Sequence, residues 1–368
     1  MNVQLKSGEK HTELLYEWYA VIRTRNIDKA IHLKEEVDKH IHEFQHFPDL
    51  LLHYSLVDFR YNYLVDNLGI SKNDFDIIDS FVIPTTGILA YYYHFFKAIY
   101  YNATGNYILG KDYFYKAENL LQYCSDKLEY AEFHYMLGYS LYENFQSLLA
   151  LKEISIAKEI FSQHDNCEVN IAFCNNLSGL FCTHLQEFEM AEEYYTSALN
   201  TFQKIEEETF ILMVRQNLAF MYSEQNLSTL SLRYLSEVNQ KMLNNYKALF
   251  IEARERFKIK EIDVASERIE RGIHICKGLQ NEEYLHHFYI LQAFVNNIPA
   301  LEIEKLVQAG NTYFEKENLL EYTQKYHEQL AHKYYQEKNY LKASEYFYLA
   351  SNLKEKLKEK LFDKEGQK

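Results

Sequence analysis

Histidines, cysteines, carboxylates and amides are the side chains of this sequence that could do chemistry, and only the amides are well disposed to act. His40, His42 and His46 lie on an acidic stretch with Glu36 and Glu43. Imidazoles and carboxylates chelate zinc. At i, i+2 and i+6, however, a helix puts only His42 and His46 on one face, so a solvated polar helix is the preferred reading. His286 and His287 are adjacent and point in different directions, which makes them poor chelators. Cys124, Cys167, Cys174, Cys182 and Cys276 form no CxxC pair and are odd in number, as expected of core thiols in a reducing cytoplasm. GxxxxGK[ST], GxGxxG and HExxH do not occur. Carboxylates abound, but no facing pair can be read from the sequence. No cofactor or metal of its own is therefore expected. Carboxamides remain, among them Asn176, Gln216 and Asn217. Each offers a donor and an acceptor and can pair both the N–H and the C=O of an extended peptide.

The elements that would hold these amides are helices. The 368 residues include only 3 prolines and 11 glycines, which suits long helices with short connections. Small residues recur on a repeat of two antiparallel helices. In the second helix of the pair, Gly110, Phe114 and Ala117 show a small–bulky–small pattern at 0, +4 and +7. Ala150, Ile154 and Ala157 repeat it, as do Ala191, Tyr195 and Ala198. Ser231, Leu235 and Val238 follow more loosely, then Ala265, Ile269 and Gly272. Ile303, Val307 and Gly310 are the weakest match, and Ala343, Phe347 and Ala350 close the series. Twelve residues before each anchor stand Ala98, Gly138, Gly179, Ala219, Ala253, Leu291 and Ala331, where the first helix needs a small residue. The pattern is that of a tetratricopeptide repeat (TPR).

Residues 1–72 lie outside the repeat but read as helical. Leu14, Leu15, Trp18 and Ile22 define one apolar face. A second helix is expected over Ile27–Phe44 and a third over Leu50–Leu68, with Pro48 and Asp49 in its first turn. The expected fold is all-α. It comprises an N-terminal three-helix bundle over 1–72, a right-handed superhelical TPR solenoid of about seven helix pairs over 77–360, and a tail at 361–368.

The inner wall of such a solenoid is lined by the first helix of each pair. Counting from the anchors places Asn176, Leu180, His184, Gln216, Phe220, Glu224, Phe250 and Arg254 on it, with Asn217 beside Gln216. The mixture of amides, aromatics and single charges suits a polypeptide ligand. Net charge is −14, which argues against nucleic acid as a partner. The longest uncharged stretch, Ser80–Phe96, is too short and too broken by Pro84 and Gly87 to span a membrane. A cytoplasmic protein is expected.

Several segments carry a resemblance to a known family. They are Glu17–Trp18–Tyr19, Leu33–Lys34–Glu35–Glu36–Val37, Tyr54–Ser55–Leu56 with Phe59–Arg60, Tyr91–Tyr92–Tyr93, Tyr130–Ala131–Glu132–Phe133 and Asn217–Leu218–Ala219–Phe220. In these, and in its three-helix-plus-TPR layout, the chain resembles the Rap family of spore-forming bacteria. The resemblance implies that the N-terminal helices, with Leu51, Tyr54 and Phe59, engage a response regulator and promote hydrolysis of its aspartyl-phosphate. It further implies that a short signalling oligopeptide in the TPR groove releases the regulator, with Asn217 as a ligand of the peptide backbone. The metal in that reaction would belong to the regulator. The family positions the attacking water with a glutamine just before the third helix. Here Pro48 aligns with that place, and Gln45 is the nearest glutamine. Either Gln45 serves, or the protein acts by binding alone, sequestering a regulator. A constitutive TPR scaffold is the further alternative. A DNA-binding relative is disfavoured, because residues 1–72 lack a helix-turn-helix.

Overall fold

Several helix starts are fixed by side chains that accept from otherwise unpaired backbone N–H groups. Asn26 accepts from the Lys29 amide, Asn245 from that of Ala248 and Asn281 from that of Tyr284. Pro48 occupies the first turn of its helix, where its missing N–H costs nothing. The computed structural model describes the backbone of residues 2–362 and the side chains of 10–358. The N-terminal helices are α1 (Asn2–Arg23), α2 (Ile27–Asp38), α3 (Ile41–Phe44) and α4 (Pro48–Val65), followed by the short α5 (Asp76–Asp79). The expected single helix over Ile27–Phe44 is broken at Lys39–His40, and α3 is one turn.

Seven first-and-second helix pairs follow in the order of the repeat. They are α6 (Ile88–Ala103) with α7 (Tyr107–Glu118), α8 (Lys127–Glu143) with α9 (Ser147–Ser162), and α10 (Glu168–His184) with α11 (Phe188–Lys204). Then come α12 (Glu208–Glu224) with α13 (Ser228–Lys241), α14 (Tyr246–Lys258) with α15 (Ile262–Leu279), α16 (Glu282–Val295) with α17 (Ala300–Lys316), and α18 (Leu320–Gln336) with α19 (Tyr340–Phe362). No strand occurs among the described residues. Residues 361 and 362 of the expected tail belong to α19, and 363–368 lie outside the described residues.

The small-residue positions are all buried. A Cβ on Gly179 would lie 2.6 Å from the Tyr195 ring, and one on Gly272 would run into that of Phe288. The pattern therefore marks where helices touch most closely. Phe347 is the exception among the bulky positions. It is 37% exposed.

The turns inside the pairs share one geometry. Gly105, Phe145, Gln186, Asn226, Lys260, Asn297 and Lys338 all adopt positive φ, between 49° and 76°. In each turn the next amide reaches back to a carbonyl five residues earlier, as Gln146 N to Leu141 O at 2.8 Å and Asn339 N to Tyr334 O at 3.0 Å. This is the Schellman closure, which usually recruits glycine. Only the first of these seven turns has one.

The chain divides into two compact units. The first comprises Met1–Ser140, Lys152–Leu177 and Ser197–Glu206, the second Leu141–Leu151, Ser178–Thr196 and Glu207–Lys368. In the first, α1 packs on α2 and α4, and α4 packs on α6. Two buried carboxylates of α8 tie these helices together. Glu129 accepts from Tyr19 (2.9 Å), Tyr91 (3.0 Å) and Arg23 (3.0 Å). Glu132 accepts from Arg25 (2.9 Å) and Arg60 (2.8 Å). In the second unit α12, α14 and α16 lie side by side, each packed against the second helix of the preceding or its own pair.

Candidate functional site

In the second unit the predicted wall residues meet as a connected track of rings. The His184 ring, at the end of α10, stacks on Tyr142 (4.7 Å between centroids, 21°) and on Phe145 (5.2 Å, 16°). Phe220 of α12 stands edge-on to it at 6.0 Å. Phe145 then meets Tyr322 of α18 at 5.3 Å, Tyr322 meets His287 at 4.4 Å, and His287 meets Phe250 of α14 at 5.5 Å. Burial, together with the positive charge of Lys325, pushes the His184 imidazole down to about 4, so it is neutral at physiological pH. Its Nδ1 is buried and has no hydrogen-bond partner among the described residues. A polar atom left in that state is suited to a ligand's donor or acceptor.

Beside the rings runs a charged chain. Glu224 pairs with Arg254 at 3.1 Å and with Lys325 of α18 at 3.4 Å. Burial opposes its charge, but the Lys325 and Arg254 cations outweigh that and hold the carboxyl down at about 2. Arg254 also donates to Ser223 Oγ at 2.5 Å, and Ser223 in turn donates to the buried Glu255. Glu255 accepts further from Ser228 (2.6 Å) and pairs with Lys258 (2.9 Å). Rings, fixed charges of both signs and an orphaned imidazole nitrogen are the kinds of group that can hold the side chains and backbone of a short polypeptide.

His184, Phe220, Glu224 and Arg254 are thus brought together, and Phe250 joins them through His287 and Tyr322. Gln216 sits apart. Its carboxamide oxygen accepts from Asn245 at 2.5 Å, which ties it to the cap of α14. Asn217 is buried, Leu180 is half-buried, and Asn176 is buried in the first unit. The sequence reading missed Phe145, Tyr322, His287 and Lys325. Lys325 falls on a wall position by the same counting from the anchor Ala343. Phe145 lies in a turn, outside any count along helix faces.

The residues expected at the target-facing end lie in the first unit. Gln45 and Pro48 are exposed, on either side of the junction between α3 and α4. Leu51 and Tyr54 are half-buried, and the Tyr54 hydroxyl donates to Asp38 at 2.9 Å. Phe59 is in the core, edge-on to Phe75 at 5.1 Å, so it supports α4 instead of presenting itself to a partner. All five cysteines are buried. Burial pushes the thiols of Cys124, Cys174 and Cys276 up to about 12, far from the reactive thiolate form. No described helix is long and apolar enough to cross a membrane.

Residues 6–66 match the family described as response regulator aspartate phosphatase H, N terminal. Over 352 residues the chain is 24% identical to the regulatory protein RapF of Bacillus subtilis (strain 168), covering 91% of this chain and 92% of that one. It is 26% identical over 326 residues to response regulator aspartate phosphatase H of the same organism, covering 83% and 84%. Among solved structures, it is similar to a Rap protein complexed with competence and sporulation factor, with a TM-score of 0.78, 23% identity and coverage of 96% and 99%.

Proposed function

We propose that the chain is a member of the Rap family and, on that premise, that it is a peptide-regulated signalling protein of the cytoplasm. In this reading residues 1–72 engage a response regulator and promote hydrolysis of its aspartyl-phosphate. A short signalling oligopeptide on the ring track of the TPR region, 77–360, inhibits that action. The observation that carries the reading is the family match over 6–66, which spans α1 to α4 and includes the exposed Gln45–Pro48 junction. The ring track, with the orphaned His184 nitrogen and the Glu224–Arg254–Lys325 chain, supports the peptide part.

Such a phosphatase needs little chemistry of its own. The regulator already holds the phosphoryl group and its metal, so the partner need only orient the attacking water with an amide. Gln45, at the end of α3 with its side chain in solvent, is the group we assign to that task. A second reading rests on Pro48. Proline at the start of α4 has no carboxamide to orient water, which favours a protein that sequesters the regulator without catalysis.

The test is to mix the purified protein with phosphorylated response regulators from its host and follow loss of phosphate. Accelerated loss with one regulator, abolished by Gln45→Ala while binding persists, is the outcome expected of the phosphatase. Acceleration untouched by Gln45→Ala would remove Gln45 from the mechanism. Stable binding without acceleration would establish the sequestering reading. Calorimetry with a short-peptide panel tests the peptide part, and silence across the panel would favour a constitutive scaffold.

A further inference from the structure

Away from the ring track, α1 and the α2–α3 junction bring three metal-ligating groups together. The side chain of His11 is only 6% exposed, and its Nε2 lies 3.6 Å from Glu43 Oε2. His40, the residue before α3, has Nδ1 3.2 Å from Glu43 Oε1. One ligand atom from each of the three lies within 4.8 Å of the others. The His11 ring packs on His40 at 5.0 Å and on Phe44 at 5.3 Å, which holds the imidazole of α1 in place.

A zinc-class ion takes imidazole nitrogen and carboxylate oxygen at about 2.0–2.2 Å, so ligand atoms around a tetrahedral centre stand about 3.4 Å apart. The 3.2 and 3.6 Å separations run to the two different oxygens of Glu43 and the three-atom set spans up to 4.8 Å, so a small side-chain rotation draws the groups in to that spacing. We propose that His11, His40 and Glu43 form a binding site for one divalent transition-metal ion of the zinc class, with water completing its coordination. Two imidazoles select against calcium and magnesium, which prefer all-oxygen sets. In the ion-free protein the Glu43 carboxylate bridges the two rings. On binding, those two contacts break and three bonds to the ion form. The proton on each ligating nitrogen moves to the other ring nitrogen or to solvent.

This departs from the expectation that the chain carries no metal of its own. The sequence pattern groups His40 with His42 and His46, yet those two are exposed, and the buried ligand comes from α1 instead. The ion would pin α3 to α1, two residues before Gln45.

The experiment uses untagged full-length protein stripped with a chelator and titrated with Co²⁺, whose visible absorption reports the ligand set, followed by competition with Zn²⁺. We expect one Co²⁺ per chain, displaced by Zn²⁺. His40→Ala and Glu43→Gln, both on the solvent side, should each weaken binding by about a hundredfold. His42→Ala and His46→Ala should leave it unchanged. Thermal unfolding of each variant checks that it folds. Binding that survives both His40→Ala and Glu43→Gln, binding lost with His42→Ala or His46→Ala, or no binding at millimolar Co²⁺ would overturn the proposal. None of these readouts depends on a response regulator, so the site stands or falls apart from the proposed function.

Discussion

His53 and His184 are each held neutral by their surroundings, and both should make stability depend on pH. His53 is 3% exposed, flanked by Tyr16 and Tyr92, and burial alone pushes its imidazole down to about 4. In the unfolded chain both return to about 6.5. Between those values the unfolded state binds the extra proton, so stability is fully present above about 6.5 and is lost as pH falls towards 4. For His53 the loss is on the order of 3 kcal/mol over the window. Urea denaturation at pH 7 and at pH 4.5 measures it. His53→Phe should flatten the profile, and a variant with an unchanged acid-side loss would show that His53 is not the titrating group. At this scale the sequence was half legible. It marked His184 as a wall residue, but nothing local foretells Phe145 and Tyr142 stacked on it. His53 lies on an ordinary helix face, and only the packed aromatics around it create the perturbation.

Among the elements, the helix pairs were legible because close packing restricts a few positions to small residues, and those positions recur in phase. The break at Lys39–His40 was not. Its residues carry no glycine or proline, and α3 is turned aside by the packing of Phe44, which is fully buried. The turns were read only as short. Their left-handed residues are mostly lysine, glutamine, asparagine and phenylalanine, which pay a steric cost that glycine does not. Lys260, with φ 65° and an exposed side chain, is the place to measure that cost. Lys260→Gly should stabilise the protein by about 0.5–1 kcal/mol, read as a higher urea midpoint at unchanged slope. A destabilised variant would mean that the Lys260 side chain contributes more than the turn strains.

At the scale of the whole chain, the N-terminal helices α1–α4 are not self-sufficient in charge. Arg23, Arg25 and Arg60 are mostly buried, and their carboxylate partners Asp126, Glu129 and Glu132 lie beyond residue 120. Removing one partner of a buried pair costs about 3–5 kcal/mol because the other charge stays desolvated. Glu132→Ala, which strands both Arg25 and Arg60, should therefore lower stability by at least about 3 kcal/mol. Residues 1–72 expressed alone should show no cooperative unfolding transition by circular dichroism. A sharp transition in the fragment would restore the bundle as an independent domain. The spacing of apolar residues in the first 72 positions signalled helices, but the distant anionic partners could not be matched to those arginines from sequence.

The pairing of Phe145 with Tyr322, and of Glu224 with Lys325, joins residues 177 and 101 positions apart. Nearly all other links in a repeat array are between neighbours, and such local links assemble quickly and in any order. These two can close only after the intervening helices have been laid down, and each must repay the entropy of a long loop. They are accordingly among the last bonds made during refolding and among the first to let go in the native state. Amide exchange around the start of α18 should therefore outpace that of α12 and α14 well below the denaturation temperature.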